Sequence, residues 1–597
     1  MCSGNKTLYP VQNEFRFNQL LNSMWNFEID PDSIGIKEKW YKKLPKPESM
    51  PVPGTFAELT TKRDRKYYTG DFWYEKDVFV PSFLKNKDIA IRFGSITHRA
   101  KVFFNSVEVK THEGGFLPFE ADITKVVKLG QVNHLAILVN NKLSLETIPC
   151  GDVTILSDGR KANRPRFDFF NYSGIMRNVW LVATPKGKII DFDLKYDIQG
   201  KSAQIHYQIY GNGDTAKVEL TDRNGNTVAV QSGLKNSIDV KNAQLWSPAC
   251  PYLYGIKIQL LRQGKIIDEY STKIGIRTVK VLGTQILLND KPIHLKGFGK
   301  HEDFTILGKA TSESVIKRDF ECMKWIGVNC FRTSHYPYAE EWYREADRYG
   351  FLIIDEVPAV GLSSYNFIEA TKGKFKSFFT NKNNSKLEQV HEQEITEMIN
   401  RDKNHQSVIA WSLFNEPEST SNESYHYFKK IFNFVRENKL DPQARPLTGA
   451  LENHSQPDTD RLSQLCDIVS LNRYYGWYVK GGQYIQEAKK KFIDEMNGWE
   501  RLNLNKPFIF TEFGADTLAS EHRLPAEMWS QEYQNEVIHM FFDVFKQYNF
   551  IQGELIWNFA DFKTEDAIVR VGGNQKGIFT RDRQPKDAAF LLRKLWK

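Results

Sequence analysis

Along the first third of the chain, apolar side chains recur at every second position. Ile89, Ile91 and Phe93 alternate with Ala90 and Arg92, and Leu135, Ile137 and Val139 keep the same step. A period of two places one side of an extended strand on a core. Short runs of this kind, separated by Gly, Asn and Pro, predict a β-sandwich that reaches to about residue 183. A second β region follows, from about residue 188 to residue 281. In it Val218 and Leu220 lead into Asn224-Gly225, and Val228 and Val230 lead out. Asn-Gly between two apolar runs is a strong hairpin signal. The length of this region, roughly ninety residues, suits an immunoglobulin-like sandwich. Neither region carries the pattern of a long helix.

Past Leu287 the pattern changes. Short apolar segments now alternate with long amphipathic ones. The spacing predicts strands at 294–299, 327–333, 351–355, 408–414, 446–450, 467–471, 507–511 and 553–558. Helices are predicted between them at 313–325, 338–349, 387–401, 425–437, 484–496 and 531–548, and a last helix at 587–596. In the first of these, Ile316, Phe320 and Met323 share a face. Eight strands alternating with helices over about three hundred residues point to a (β/α)8 barrel. A doubly wound open sheet is the alternative. It would carry a Gly-rich phosphate loop after its first strand, and none is found.

Composition narrows the function classes. Of 597 residues, 41% are hydrophobic and 26% charged, as in soluble globular proteins. The formal charge of +8 is a small excess for this length, and the longest basic run, Lys489-Lys490-Lys491, has acidic neighbours on a predicted helix. That reads as a solvated helix face, so no nucleic acid partner is expected. The aromatic content of 13% is high, which fits sandwich packing and leaves rings for sugar faces. The six cysteines, Cys2, Cys150, Cys250, Cys322, Cys330 and Cys466, show no Cys-x-x-Cys spacing. They argue against a thiolate zinc site and for reduced thiols in a cytoplasmic protein. Residues 1–13 lack an apolar targeting core, and no run is long enough to span a membrane.

Barrel chemistry sits at the C-terminal ends of the strands, so polar residues that end an apolar run there are the candidates. The fourth strand ends in Asn415-Glu416-Pro417, and the seventh in Glu512-Phe513-Gly514. Pro417 cannot donate to a sheet ladder, so the strand stops near Glu416. Two carboxyl groups at one mouth are what glycosidic cleavage requires: one protonates the leaving oxygen, and the other attacks or stabilises the anomeric carbon. A single glutamate after a strand would read as a salt-bridged cap; two, on strands four and seven, favour chemistry. Other mouth residues are His301, Glu302, Asp303, His335, Asp355, Glu356, Asn472, Arg473, Tyr474 and Asp561. His301, Glu302 and His335 could together hold a metal. The histidines are read instead as buried, hydrogen-bonded neighbours of sugar hydroxyls, since no His-x-x-x-His pair on a helix supports zinc. His335 therefore stands among the candidate substrate-binding residues.

These motifs carry a family resemblance. Asp168-Phe169-Phe170-Asn171-Tyr172, the run 297–303, Arg332-Thr333-Ser334-His335-Tyr336-Pro337, Asn415-Glu416-Pro417, the run 472–478, Thr511-Glu512-Phe513-Gly514 and the run 557–562 resemble the bacterial β-glucuronidase branch of glycoside hydrolase family 2 over essentially the whole chain. The resemblance implies a jelly-roll-like sugar-binding sandwich at 1–185, an immunoglobulin-like sandwich at 186–282 and a catalytic TIM barrel at 283–597. It implies that Glu416 is the acid/base, Glu512 the nucleophile, and Asn415 a partner of the sugar 2-hydroxyl. Asp168, Asn472, Tyr474, Tyr478 and Trp557 would line the sugar pocket. No cofactor is implied. A homotetramer acting on glucuronide conjugates or glucuronate-containing oligosaccharides is expected.

The run Arg570-Val571-Gly572-Gly573-Asn574-Gln575-Lys576-Gly577 bears on the substrate. Read by itself it is as consistent with a surface turn as with a site. In the resembled family an Asn-x-Lys pair here marks the glucuronidase branch. An ammonium and an amide can meet a C6 carboxylate with charge-assisted bonds, and Arg570 can add charge. Neutral-sugar enzymes on this scaffold should lack Asn574 and Lys576. A β-galacturonidase is excluded more weakly, because galacturonate differs only at C4. A non-catalytic sugar-binding barrel would be expected to lose one of the glutamates, and both are present. Between residues 360 and 385 lies a long connection containing Phe367 and Phe375. It resembles an active-site loop carried by a subset of gut bacterial enzymes and is expected to tune leaving-group preference.

Overall fold

The computed structural model describes residues 8–364, 377–380 and 384–596. Cys2, Phe367 and Phe375 lie outside them, and with them most of the expected aglycone loop. The first β region forms a four-stranded and a six-stranded sheet stacked on one apolar core. Its longest strands, Asp71–Val80 and Gln131–Asn140, pair antiparallel across ten residues each. The alternation places Ile89, Ile91 and Phe93 in the core. Arg92, on the opposite side, is also fully buried, because that side packs on the barrel and Arg92 pairs with Glu340 at 2.9 Å.

The second β region holds a three-stranded and a four-stranded sheet over a separate core. Thr215–Thr221 and Thr227–Ser232 form the hairpin, with Gly225 at φ +88° where the turn demands the left-handed region. Asp222 tightens this turn by accepting the N–H groups of Asn224 and Asn226 at 2.9 and 2.8 Å.

The third region is a closed barrel of eight parallel strands: Leu295–Lys300, Cys330–Thr333, Leu352–Glu356, Val408–Asn415, Leu447–Leu451, Val469–Asn472, Phe508–Glu512 and Ile551–Ile556. The barrel is the expected one, and the alternative of an open sheet is thereby excluded. Helix Glu313–Ile326 buries Ile316, Phe320 and Met323 and ends on Gly327 at φ +103°, an αL cap. The last helix, Asp587–Leu595, places Trp596 edge-on against Phe298 of the first barrel strand. Among the described residues no helix is long and apolar enough to cross a membrane, and Cys150, Cys250, Cys322, Cys330 and Cys466 are all unpaired.

Candidate active site

Glu416 follows the fully buried fourth strand at φ +47°, a conformation costing on the order of 1 kcal/mol outside glycine. Backbone bonds on either side hold it: the Glu416 N–H donates to Ala450 at 2.8 Å and the Asn415 N–H to Ala359 at 2.9 Å. Its carboxyl accepts from Asn472 Nδ2 at 2.9 Å. The Thr511 hydroxyl donates to Asn472 Oδ1 at 2.7 Å, which orients that amide with its NH2 toward Glu416. Glu512 closes the seventh strand. It accepts from Arg332 Nη2 at 2.5 Å on one oxygen and from the Tyr474 hydroxyl at 2.7 Å on the other.

Arg332 ties the mouth together. It is fully buried on the second strand, and its Nη2 also reaches Asn415 Oδ1 at 3.3 Å and His335 Nδ1 at 3.2 Å. Its Nε lies 3.4 Å from Glu356, which in turn accepts from Ser412 at 2.7 Å and faces His335 Nδ1 at 2.8 Å. A buried guanidinium is tolerated only when paired and hydrogen-bonded, and two carboxylates supply that here. The His335 ring stacks on Trp557 at 5.1 Å. Asn415, Glu416, Asn472, Tyr474, Glu512, His335 and Trp557 thus form one connected site.

Burial pushes the Glu512 carboxyl up to about 8, with Arg332 opposing and Glu416 adding to the rise. It raises Glu416 as well. Carboxyls that feel each other titrate as a pair. The donors decide which one carries the shared proton. Glu512 receives a guanidinium and a phenol, whereas Glu416 receives one amide, so the charge rests on Glu512 and the proton on Glu416. A two-carboxyl glycosidase mechanism needs that one-proton state. In such a mechanism a second proton at low pH would silence Glu512, and loss of the shared proton at high pH would silence Glu416. We expect a bell-shaped kcat/KM profile whose alkaline limb lies above the ordinary carboxylate range, since burial raises Glu416. Rates that show no alkaline fall up to about pH 10 would contradict this.

A second cluster adjoins the first. Lys576, Asn574 and Asp516 are each 1% exposed. The Lys576 ammonium pairs with Asp516 and donates to the Tyr478 hydroxyl at 2.8 Å. Asn574 Nδ2 donates to Asp168 at 3.1 Å, and Arg570 pairs with Asp168 at 2.7 Å while donating to Tyr478 at 2.8 Å. The two clusters meet at Tyr474 and Tyr478, whose rings pack edge to face 5.1 Å apart, and Lys576 lies 5.5 Å over the Tyr474 ring. Asp168 joins from the first sandwich, so two domains build the site.

Other mouth residues serve the scaffold. Glu302 is taken up by Arg177 at 2.9 Å and the Ala339 N–H at 2.8 Å, so the metal trio with His301 and His335 is not assembled. Asp303 accepts from Tyr172 at 3.1 Å and pairs with Arg581. Asp355 accepts from Tyr343 at 2.6 Å and Arg473 pairs with Glu495 at 2.8 Å, both on the helical side of the barrel. His301 contacts Tyr336 at 2.9 Å and packs against Phe562, and burial holds it and His335 well below the usual imidazole range, hence neutral. Two residues escaped the sequence reading. Arg332 left a trace, a charge inside a short apolar strand. Asp516 left none, since it follows Glu512 in a segment without period.

Comparison with known proteins agrees with this geometry. Residues 279–597 match the description "Glycosyl hydrolases family 2, TIM barrel domain", residues 18–185 the sugar binding domain of that family, and residues 177–277 a further family 2 domain. A β-glucuronidase of Paenibacillus borealis is 40% identical over 99% of this chain and 98% of its own length. The human β-glucuronidase is 37% identical over 99% of this chain and 92% of its own. The crystal structure of Ruminococcus gnavus β-glucuronidase in complex with uronic isofagomine superposes with a TM-score of 0.97 at 51% identity, covering 100% of this chain and 99% of that one. With two sandwiches, a closed barrel and paired glutamates on strands four and seven, the chain belongs to glycosyl hydrolase family 2.

Proposed function

We propose that this chain hydrolyses β-D-glucuronides with retention, Glu512 acting as nucleophile and Glu416 as acid and then base. One observation carries the reading. The donor cluster of Lys576, Asn574 and Arg570, two cations and an amide, is joined to Glu512 through Tyr474, whose hydroxyl binds that carboxylate and whose ring lies under Lys576. The Tyr474 ring bridges the two ends, as a pyranose ring bridges C1 and the C6 carboxylate. In the first step the Glu512 carboxylate attacks C1 while Glu416 passes its proton to the leaving oxygen. In the second, Glu416 takes a proton from water, which attacks the glycosyl-enzyme and frees Glu512. Asn415 and Asn472, hydrogen-bonded around Glu416, are placed to hold the sugar hydroxyls next to C1.

Rates on the p-nitrophenyl β-glucuronide, β-galacturonide, β-galactoside and β-glucoside test the sugar. The glucuronide should lead, and a galacturonide turned over faster would shift the assignment to C4. NMR of the first-formed sugar tests the stereochemistry: the β-anomer is expected, and an α-anomer appearing first would reject the double displacement. A homotetramer and a cytoplasmic location belong to the same proposal. Unpaired cysteines, four of the five described being buried, support a reducing compartment. Light scattering and cell fractionation measure both.

A further inference from the structure

Behind Lys576 lies a second tier of buried charge. An ammonium has three N–H groups. Among the described residues, Asp516 and the Tyr478 hydroxyl occupy two of them, which leaves one for a ligand. The other Asp516 oxygen accepts the backbone N–H of Gln575 at 2.8 Å, between the two residues that would read the carboxylate. Lys586, just before the last helix, holds the same residue from the other side: it donates to the Gln575 carbonyl and to the Thr517 carbonyl, both at 2.9 Å. Lys586 pairs with Asp561 at 2.8 Å, and Asp561 accepts the Gly577 N–H at 2.9 Å. The N–H and C=O of Gln575 are therefore both gripped by buried charged side chains. A run of turn residues such as Gly572-Gly573 would otherwise leave this backbone loose.

We propose that Asp516, supported by the Lys586–Asp561 pair, is a specificity-positioning residue that gives the Lys576 ammonium a fixed counter-charge and aim, so that the site is set for an anionic sugar before one arrives. This rests on the reading of Lys576 as the carboxylate partner. Without Asp516 the ammonium would sit buried with Arg570 nearby and no anion in contact, a state the low-polarity surroundings disfavour. Asp516→Asn keeps the shape and an acceptor for Gln575. It should raise KM for p-nitrophenyl β-glucuronide by about tenfold or more with kcat within about threefold. The rate on the glucoside should hold within about threefold, and Asp516→Glu should recover part of the loss. Lys586→Met should also lower the glucuronide-to-glucoside ratio. An unchanged KM in Asp516→Asn, or equal losses on both substrates, overturns the proposal. Should Asp516→Asn fail to fold, Asp516→Glu decides: a ratio equal to that of the unaltered chain overturns it, and a lowered ratio sustains it. Lys576→Ala run in parallel separates the two claims. If it leaves the ratio unchanged, the carboxylate reading itself fails; if it collapses the ratio while the Asp516 variants do not, only the positioning role fails.

Discussion

Glu512→Ala will lose turnover on every glycoside by at least about 10⁴-fold, because the proposed mechanism needs its carboxylate to form the covalent bond to C1. Glu512→Gln should match that loss while keeping an acceptor for Arg332 and Tyr474, which guards against a purely structural explanation. Glu416→Ala will behave differently. Leaving groups that need a proton should lose about 10²- to 10⁴-fold, and activated aryl leaving groups much less at the first step. Azide should rescue Glu416→Ala on an activated substrate, since a small anion attacks the glycosyl-enzyme without a general base, and the product should be the β-glycosyl azide. If azide rescues Glu512→Ala instead and yields an α-azide, the roles are reversed. The hydrogen bonds already favour the stated order: two donors converge on Glu512 and one on Glu416.

Lys576→Ala will cut kcat/KM on the glucuronide by about a hundredfold or more and change the poor rate on the glucoside far less. A charge-assisted hydrogen bond contributes roughly 1.5–3 kcal/mol, so two or three of them to one carboxylate supply about 4–6 kcal/mol, or roughly a thousandfold and above. A neutral sugar is rejected for a related reason. It would place hydroxyls against a nearly dry ammonium and leave that cation's last N–H without an anion. The structure refines the expectation. Arg570 lies 3.7 Å from Asp516 and donates to Tyr478, so it can take over part of the charge, and the single variant should keep some preference. Lys576→Met, which retains the volume, controls for the cavity. The quantity to compare is the ratio of specificity constants on the two substrates. If Lys576→Ala and Asn574→Ala together leave it unchanged, the loop is structural and the sugar is open again.

Patterns that depend on neighbours in the chain were readable from the sequence. Period-two runs such as Ile89–Phe93 and 3.6-period faces such as Ile316, Phe320 and Met323 follow from backbone geometry alone, and repeating them eight times leaves few closures other than a barrel. The position of the glutamate pair was equally legible, since a glutamate that ends an apolar barrel strand near Pro417 or Gly514 lies at the mouth. The family motifs then assigned roles that no spacing could give, and they picked out Asn574 and Lys576 from a run that by itself reads as a turn.

Tertiary structure decided what becomes of each charge. Arg92 fits an outward strand position, yet it is buried, because Glu340 of the barrel meets it across the domain boundary. Asp355 and Glu356 are adjacent and chemically alike, but strand alternation gives one to Tyr343 and the helices and the other to Arg332 and the site. Glu302 sits at the mouth and is spent on Arg177 of the first sandwich. Asp516 and Lys586 have no periodic position, and they matter only because the closed barrel brings residues seventy apart in the chain to one peptide, that of Gln575. Local periodicity determines which segments become strands and helices. Which buried charge meets which partner is a long-range choice, made by desolvation that only the assembled domains impose.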